Sequence, residues 1–167
     1  MTDRLRPPTS GGHSFSSNRN HMMFEPPDPD TQPQFYEGVP FKRLMAWVID
    51  TILILVMSLV VLPFTAFTGL FFFPAMMLVI GFVYRVMTLA NGSATWGMRL
   101  MGMELRTAND ERFDLGTAFA HTLGYSFSVA MAPLQLISVV LMGTTARGQG
   151  LTDMVMGTVA LNRRLGS

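Results

Sequence analysis

The strongest constraint in this sequence is a long apolar run, Phe41–Leu62, that holds a single acid near its middle. Its length is close to the roughly 20 residues that a helix needs to cross a bilayer. The acid is Asp50, and Arg43 stands seven residues before it. On a helix these two side chains share a face and lie about 10 Å apart along the axis. A charge at the centre of a membrane helix costs about 2.5–3.5 kcal/mol on insertion scales, so we expect Asp50 to have a partner, a cavity or a function.

Two further apolar segments follow, Phe71–Ala90 and Gly116–Met142, and Pro63 begins a short uncharged turn after the first run. The chain of 167 residues is 49% hydrophobic and only 14% charged, whereas about a quarter of the residues in a soluble domain are charged. We therefore predict an all-α integral membrane protein, a helical bundle of two clear spans plus a third apolar segment. The lipid bilayer is its expected surrounding.

The third apolar segment has two interpretations. By length it fits one span, but one span would place the C-terminal arginines across the membrane from the basic loop at residues 91–115. Pro133 lies just past the middle of the segment, and helices tend to break at such a point. A broken hairpin that enters and leaves on one side keeps these arginines together, as the positive-inside rule favours. We favour the hairpin, and the single span stays open as the alternative.

Basic residues also orient the chain. Lys42 and Arg43 precede the first span, and Arg99, Arg106 and Arg112 follow the second, whereas the turn between the spans has no Lys or Arg. Cytoplasmic loops of membrane proteins carry the excess of basic residues. We therefore expect the N-terminus and the basic loop to be cytoplasmic, with the connecting turn outside.

The polar parts of the chain carry weaker patterns. Residues 1–40 are rich in proline and lack an apolar period, which is typical of a disordered tail. The transmembrane domain is then expected over residues 41–164. Within it, residues 103–107 alternate apolar and polar side chains as a short strand does, and residues 156–162 resemble a second strand. Short cytoplasmic β segments are predicted on this basis.

Arg85 lies inside the second span, about as far from its cytoplasmic end as Asp50 lies in the first span. Because a short turn joins the two spans, we expect them to be antiparallel neighbours. This predicts a buried or half-buried ion pair between Asp50 and Arg85. The alternative is that Arg85 extends to the membrane interface and keeps its charged end in water.

Three short motifs lie in order between these apolar runs. They are Arg43 with Asp50, then Thr95-Trp96-Gly97 with Arg99-Leu100, and finally Gly150-Leu151-Thr152-Asp153 with Gly157-Thr158. Together they resemble the RDD family of small bacterial membrane proteins, over about residues 36–164. The chain departs from the family pattern at Met98, where Lys is common, at Thr152, where His is common, and at His121, near a position where Arg is common.

The residues and the resemblance together give two sets of candidate site residues. The polar set, expected in the cytoplasmic half of the bundle, is Arg43, Asp50, Arg85 and Asp153. The set of family-motif residues is Thr95, Gly97, Arg99, Gly150, Gly157 and Thr158. One interpretation is that the polar set holds the helices together, since polar contacts between membrane helices contribute about 0.6 kcal/mol each on average.

The resemblance implies a bacterial inner-membrane protein, and transport has been suggested for the family. One hypothesis is transport of H⁺ or a monovalent cation through Asp50. It requires a homo-oligomer, because two spans are too few to enclose a path. The alternative is a non-catalytic scaffold or an accessory subunit that binds another membrane protein.

Composition argues against several other functions. The net charge is only +1 and there is no basic stripe, so nucleic-acid binding has no electrostatic support. The chain has no cysteine, and its three histidines show no metal-ligand spacing. No nucleophile–base pair can be named, so we expect no enzyme activity and no catalytic residue. We also expect no metal and no cofactor.

Overall fold

The computed structural model describes residues 25–163. Its first helix, α1, is Val39–Val61. It begins two residues before the apolar run Phe41–Leu62, and Pro40 occupies its first turn, where a missing N–H is tolerated. One face of α1 is buried and repeats every three or four residues. The buried residues are Val39, Ala46, Asp50, Ile54 and Ser58.

The second helix, α2, is Phe73–Ala90, and two short 3₁₀ turns, Leu62–Thr65 and Thr68–Leu70, connect it to α1. Both helices are long and apolar enough to cross a membrane. The two predicted spans are thus confirmed. The helices approach closely at Gly81, where an added Cβ would lie 3.2 Å from the Ile54 side chain.

A two-stranded sheet lies beyond the end of α2. The short helix α3, Trp96–Leu100, leads into strand β1, Met103–Arg106, which pairs antiparallel with β2, Val159–Asn162. Both predicted strands therefore exist. The second strand begins three residues later than predicted, because the helix α6, Leu151–Met156, occupies the preceding residues.

The third apolar segment forms two helices, α4 at Leu115–Ala130 and α5 at Ala132–Thr144, which meet at an angle of 115°. The break lies at the predicted place, just before Pro133, which cannot continue the hydrogen bonding of α4. The pairing of β1 with β2 brings the chain before α4 and the chain after α6 to the same end of the bundle. The segment is therefore a bent hairpin within the fold.

Residues 25–40, which were expected to belong to a disordered tail, contact the folded domain. The Tyr36 hydroxyl donates to the carbonyl of Pro27 at 2.6 Å, and the Tyr36 side chain packs with Val159 and Leu161 of β2. Asn162 donates to the carbonyl of Gln34 at 2.9 Å. The aromatic side chains hold this Pro-rich stretch against the sheet. The part of the predicted tail at residues 1–24 lies outside the described residues.

The main apolar core lies at the sheet end of the two spans. It joins the first turns of α1, the last turn of α2, the sheet and the start of α4. Its buried members include Val39, Leu89, Met98, Met103, Leu105, Phe113, Ala118 and Ala160. Large apolar side chains such as Ile52, Val60 and Val79 are exposed along the spans, at 55%, 60% and 63%. This pattern suits helices surrounded by lipid.

This architecture predicts on which side of a membrane each connection lies. The chain has no native cysteine, so single cysteines can be introduced at exposed positions. Because the strand pairing holds both ends of the hairpin together, Asn109→Cys and Ala146→Cys are expected to react from one side. Thr68→Cys, in the turn between the spans, is expected to react from the other side. The measurement is labelling by a membrane-impermeant maleimide in intact and inside-out vesicles. Reaction of Ala146→Cys from the side of Thr68→Cys would make α4 and α5 a single span.

Candidate functional site

Asp50 lies on the buried face of α1, with 1% of its surface exposed. Its Oδ1 accepts hydrogen bonds from the Tyr84 hydroxyl at 2.7 Å and from the Gly97 N–H at 2.9 Å. Its Oδ2 accepts one from the Thr95 hydroxyl at 2.6 Å. We call Asp50, Tyr84, Thr95 and Gly97 the Asp50 cluster. It ties α3 to both spans.

The Asp50 cluster depends on how α3 begins. Thr95 is the N-cap residue of α3, and its hydroxyl accepts from the Met98 N–H at 3.2 Å while it donates to Asp50. At Gly97 an added Cβ would overlap the Ala46 carbonyl oxygen and lie 2.8 Å from Asp50 Oδ1. The backbone of α3 therefore packs directly on α1, which only glycine at position 97 allows.

Tyr84 completes the cluster from α2. Its hydroxyl donates to Asp50 and accepts from the Trp96 N–H at 3.0 Å. Tyr84 and Thr95 thus have the same role, since each hydroxyl links the carboxylate to a backbone N–H of α3. The carboxylate itself receives donors only, as an ionised acid requires.

The structure does not pair Asp50 with Arg85, contrary to the prediction. Arg85 Nη2 donates to the Tyr125 hydroxyl at 3.3 Å, and its guanidinium lies 4.1 Å from the centroid of the Tyr125 ring. Successive residues of a helix point about 100° apart. Because Tyr84 points at Asp50, its neighbour Arg85 points toward α4 instead.

Asp153, on α6, is the centre of a second cluster and is 1% exposed. Its Oδ2 forms an ion pair with Arg43 Nη1 at 2.6 Å and accepts from the Gly150 N–H at 3.0 Å. Its Oδ1 lies 2.8 Å from His121 Nε2 and accepts from the Thr158 hydroxyl at 3.2 Å. We call these five residues the Asp153 cluster. It joins α1, α4 and the C-terminal part of the chain.

The electrostatics of the Asp153 cluster favour the ionised acid. Burial alone would raise the pKa of Asp153, but the Arg43 guanidinium and the hydrogen bond to His121 hold that pKa well below its usual range. Arg43 is only 10% exposed and so is little screened by water. Asp153 therefore remains charged at neutral pH, with Arg43 as its counter-ion.

Gly150 and Gly157, which flank α6, have further structural roles, and Arg99 lies outside both clusters. Gly157 ends α6 with a φ of +66°, a conformation that favours glycine. Gly150 begins α6 where an added Cβ would lie 2.7 Å from the Ser138 hydroxyl of α5. Arg99 belongs to neither cluster, since it donates to the carbonyls of Ala94 and Thr88 at 3.2 and 3.4 Å.

The predicted polar set thus separates into three groups. Arg43 pairs with Asp153, Asp50 lies in its own cluster, and Arg85 binds Tyr125. Sequence reasoning missed Tyr84 and His121 as partners of the two acids. The signal for His121 was its position as the one basic side chain of the run Gly116–Met142. Tyr84 is the one tyrosine of the two spans, but the sequence alone does not show which element its hydroxyl faces.

Chemically, both clusters are arrangements of donors around a carboxylate. Among residues 25–163 there is no group of three or more His, Asp or Glu side chains that could hold a metal ion. In each cluster both carboxylate oxygens already accept hydrogen bonds from the chain itself. The arrangement suits the fixing of backbone segments against α1.

Comparison with known proteins gives a family match over most of the chain. Residues 38–157 match the model of the RDD family. The match covers α1 to α6 and includes both acids and all of their partners except Thr158. Comparisons with curated proteins and with solved structures gave no significant match.

The close approach at Gly97 predicts a cost for any side chain there. Gly97→Ala is expected to destabilise the protein by about 1–3 kcal/mol, because the new methyl group must displace α3 from α1. The measurement is the midpoint of thermal unfolding in detergent micelles. Gly143→Ala is the control, since a Cβ at that helical glycine meets nothing within 4 Å. Equal midpoints for the two variants would contradict the close packing of α3.

The ion pair predicts a loss of stability that depends on pH. Arg43→Met is expected to destabilise the protein by about 3–5 kcal/mol at pH 7, because it leaves the Asp153 charge buried without its counter-ion. The folded-state pKa of Asp153 is depressed, so the contribution of the ion pair is full above the unfolded pKa of about 4 and falls as the pH is lowered below it. The difference in unfolding midpoint between native and variant chains should therefore shrink below about pH 4.

Arg147→Met is the matched control for the ion pair. Arg147 is a partly exposed arginine at the same end of the bundle, without a hydrogen bond or ion pair to the described residues. Arg147→Met should therefore change the midpoint of thermal unfolding little at any pH. A gap between native and Arg43→Met that stays constant from pH 7 to pH 3 would contradict the assignment of Asp153 as the charged partner.

Proposed function

This chain belongs to the RDD family of membrane proteins, and we propose that it acts as a non-catalytic module that assembles with other membrane-protein chains. The observation that carries the proposal is the use of both buried acids. Asp50 and Asp153 direct all their oxygens to atoms of their own chain. The two clusters thus hold α3, α4 and α6 rigidly against one end of the two membrane helices.

The energies agree with a structural use of Asp50. Placing a charge in a membrane helix costs about 2.5–3.5 kcal/mol on insertion scales. Each hydrogen bond to a charged group contributes about 1.5–3 kcal/mol, and Asp50 accepts three of them. These bonds offset the cost without a bound cation. Asp50 is therefore stable as a fixed part of the fold.

The lateral surface offers room for partners. A shallow apolar groove runs between α2 and α4, lined by Leu78, Phe82, Val83 and Ser126. In a bilayer such a groove accepts a lipid chain or the side chains of a neighbouring helix. A second copy of the chain or another membrane protein is the partner we propose.

We propose the bacterial inner membrane as the location, with the sheet end in the cytoplasm. The folded domain brings Lys42, Arg99, Arg106 and Arg163 to the sheet end, whereas the turn between the spans has no basic residue. The excess of Lys and Arg in cytoplasmic loops supports this orientation.

A second candidate function, transport of H⁺ or a monovalent cation through Asp50, has one observation in its favour. Asp50 forms no ion pair with any described residue, although it is buried within a helix able to span a membrane. Acids in such positions are common in proton and ion pathways. Because the two spans cannot enclose a path alone, this function would need an oligomer.

Asp50→Asn separates the two functions. The amide keeps the shape of the acid but loses its charge, and its NH₂ group faces the Thr95 hydroxyl in place of an acceptor oxygen. The measurement is proton flux driven by Na⁺, K⁺ or Li⁺ in proteoliposomes, together with the particle mass in nanodiscs. We expect no flux from either chain, a lower unfolding midpoint in the variant, and a particle larger than one chain in both.

Asp114→Asn is the control, because Asp114 is an exposed acid that caps α4 and asparagine caps a helix equally well. It should leave midpoint, mass and flux unchanged. Flux from the native chain that Asp50→Asn abolishes at unchanged mass would establish transport instead. A native particle of one chain without flux would contradict transport and self-assembly, and it would leave another membrane protein as the partner.

A further inference from the structure

A cavity of about 160 Å³ at the sheet end of the bundle lies apart from both clusters. Three arginines line it, Arg99 from α3, Arg112 from the loop before α4 and Arg163 after β2. Asn91 and Gly92, just past the end of α2, line it as well. We propose that this cavity binds a phosphate group, and that the phosphate belongs to an anionic phospholipid or to a soluble phosphate ester.

The charge of the cavity supports an anion. Its one acid is Glu104, whose Oε1 is bound by Arg106 Nη2 at 2.6 Å and by Arg106 Nε at 3.0 Å. Glu104 is 3% exposed and is neutralised by Arg106, two residues further along the same strand. Among residues 25–163, the three lining arginines therefore have no counter-ion in the cavity.

The hydrogen-bonding capacity of these arginines is mostly unused. Arg112 and Arg163 are exposed, and their side chains form no hydrogen bond or ion pair with the described residues. Arg99 donates to two backbone carbonyls, which fix its guanidinium at the cavity wall and leave further N–H groups free. Guanidinium groups bind phosphate oxygens through paired N–H donors. Three of them around one cavity match the oxygens of a phosphate.

The position of the cavity favours a lipid as the source. It begins one residue beyond Ala90, the last residue of a helix able to span a membrane. Beside it, Trp96 and Leu100 of α3 are 54% and 67% exposed, and Arg99 lies 5.3 Å over the Trp96 ring. Tryptophan is enriched at the depth of lipid headgroups. The arginines are thus placed where phospholipid phosphates lie.

The test uses the full chain and the double variant Arg112→Gln with Arg163→Gln. Both residues lack partners among residues 25–163, so the variant is expected to keep the native unfolding midpoint. Native mass spectrometry after release from mixed micelles measures retained phosphatidylglycerol against phosphatidylcholine. We expect the native chain to retain phosphatidylglycerol preferentially, and the double variant to weaken this binding by about fivefold for each charge removed.

Arg147→Gln is the matched control, an arginine at the same end of the bundle that does not line the cavity. It should retain phosphatidylglycerol as the native chain does. A second arm adds inorganic phosphate and glycerol 3-phosphate to the lipid-free chain and measures the shift in unfolding midpoint. If phosphate raises the unfolding midpoint of the native chain but not of the double variant, and the native chain shows no preference for phosphatidylglycerol, the cavity is assigned to a soluble phosphate ester. The proposal would be overturned if all variants retained phosphatidylglycerol equally and phosphate did not shift the unfolding midpoint. It would also be overturned if Arg147→Gln lost as much phosphatidylglycerol binding as the double variant.

Discussion

The ion pair between Arg43 and Asp153 is the contact on which the rest of the domain depends. It joins the start of the first span to the last helix, and the same carboxylate also binds His121 of the hairpin. A buried pair of this kind adds little net stability over apolar packing, but removal of one partner is costly. We interpret the role of the ion pair as structural specificity, because it favours one arrangement of α1, α4 and α6 over others.

The helix α1 supports both acid clusters, and the spacing of seven residues explains how. Arg43 and Asp50 lie on one face, about two helical turns apart, so one can bind α6 while the other binds α3. Gly97 then lets the backbone of α3 rest on α1 at Ala46. The connections between the apolar helices, which would otherwise be loose loops, are held at two points on a single rigid helix.

Patterns local in sequence predicted most of the fold. Apolar length located α1 and α2, side-chain alternation located β1, and Pro133 located the break between α4 and α5. The motif residues around Asp50 and Asp153 were also found from the sequence. The partners of these acids on other helices were not found, because contacts between helices depend on how each helix is rotated about its axis. Equal depth suggested Arg85 for Asp50, but depth does not say which of Tyr84 and Arg85 faces α1.

The geometry of the Asp50 cluster limits what a change of charge there can do. A protonated Asp50 becomes a donor, yet all three of its neighbours already donate to it. The Gly97 N–H is fixed by the backbone, so a hydroxyl, Thr95 or Tyr84, has to turn its proton away. Each of these hydroxyls also accepts from a backbone N–H of α3. Proton uptake at Asp50 would therefore weaken the attachment of α3 to the spans, so that any carrier role would be coupled to movement of that helix.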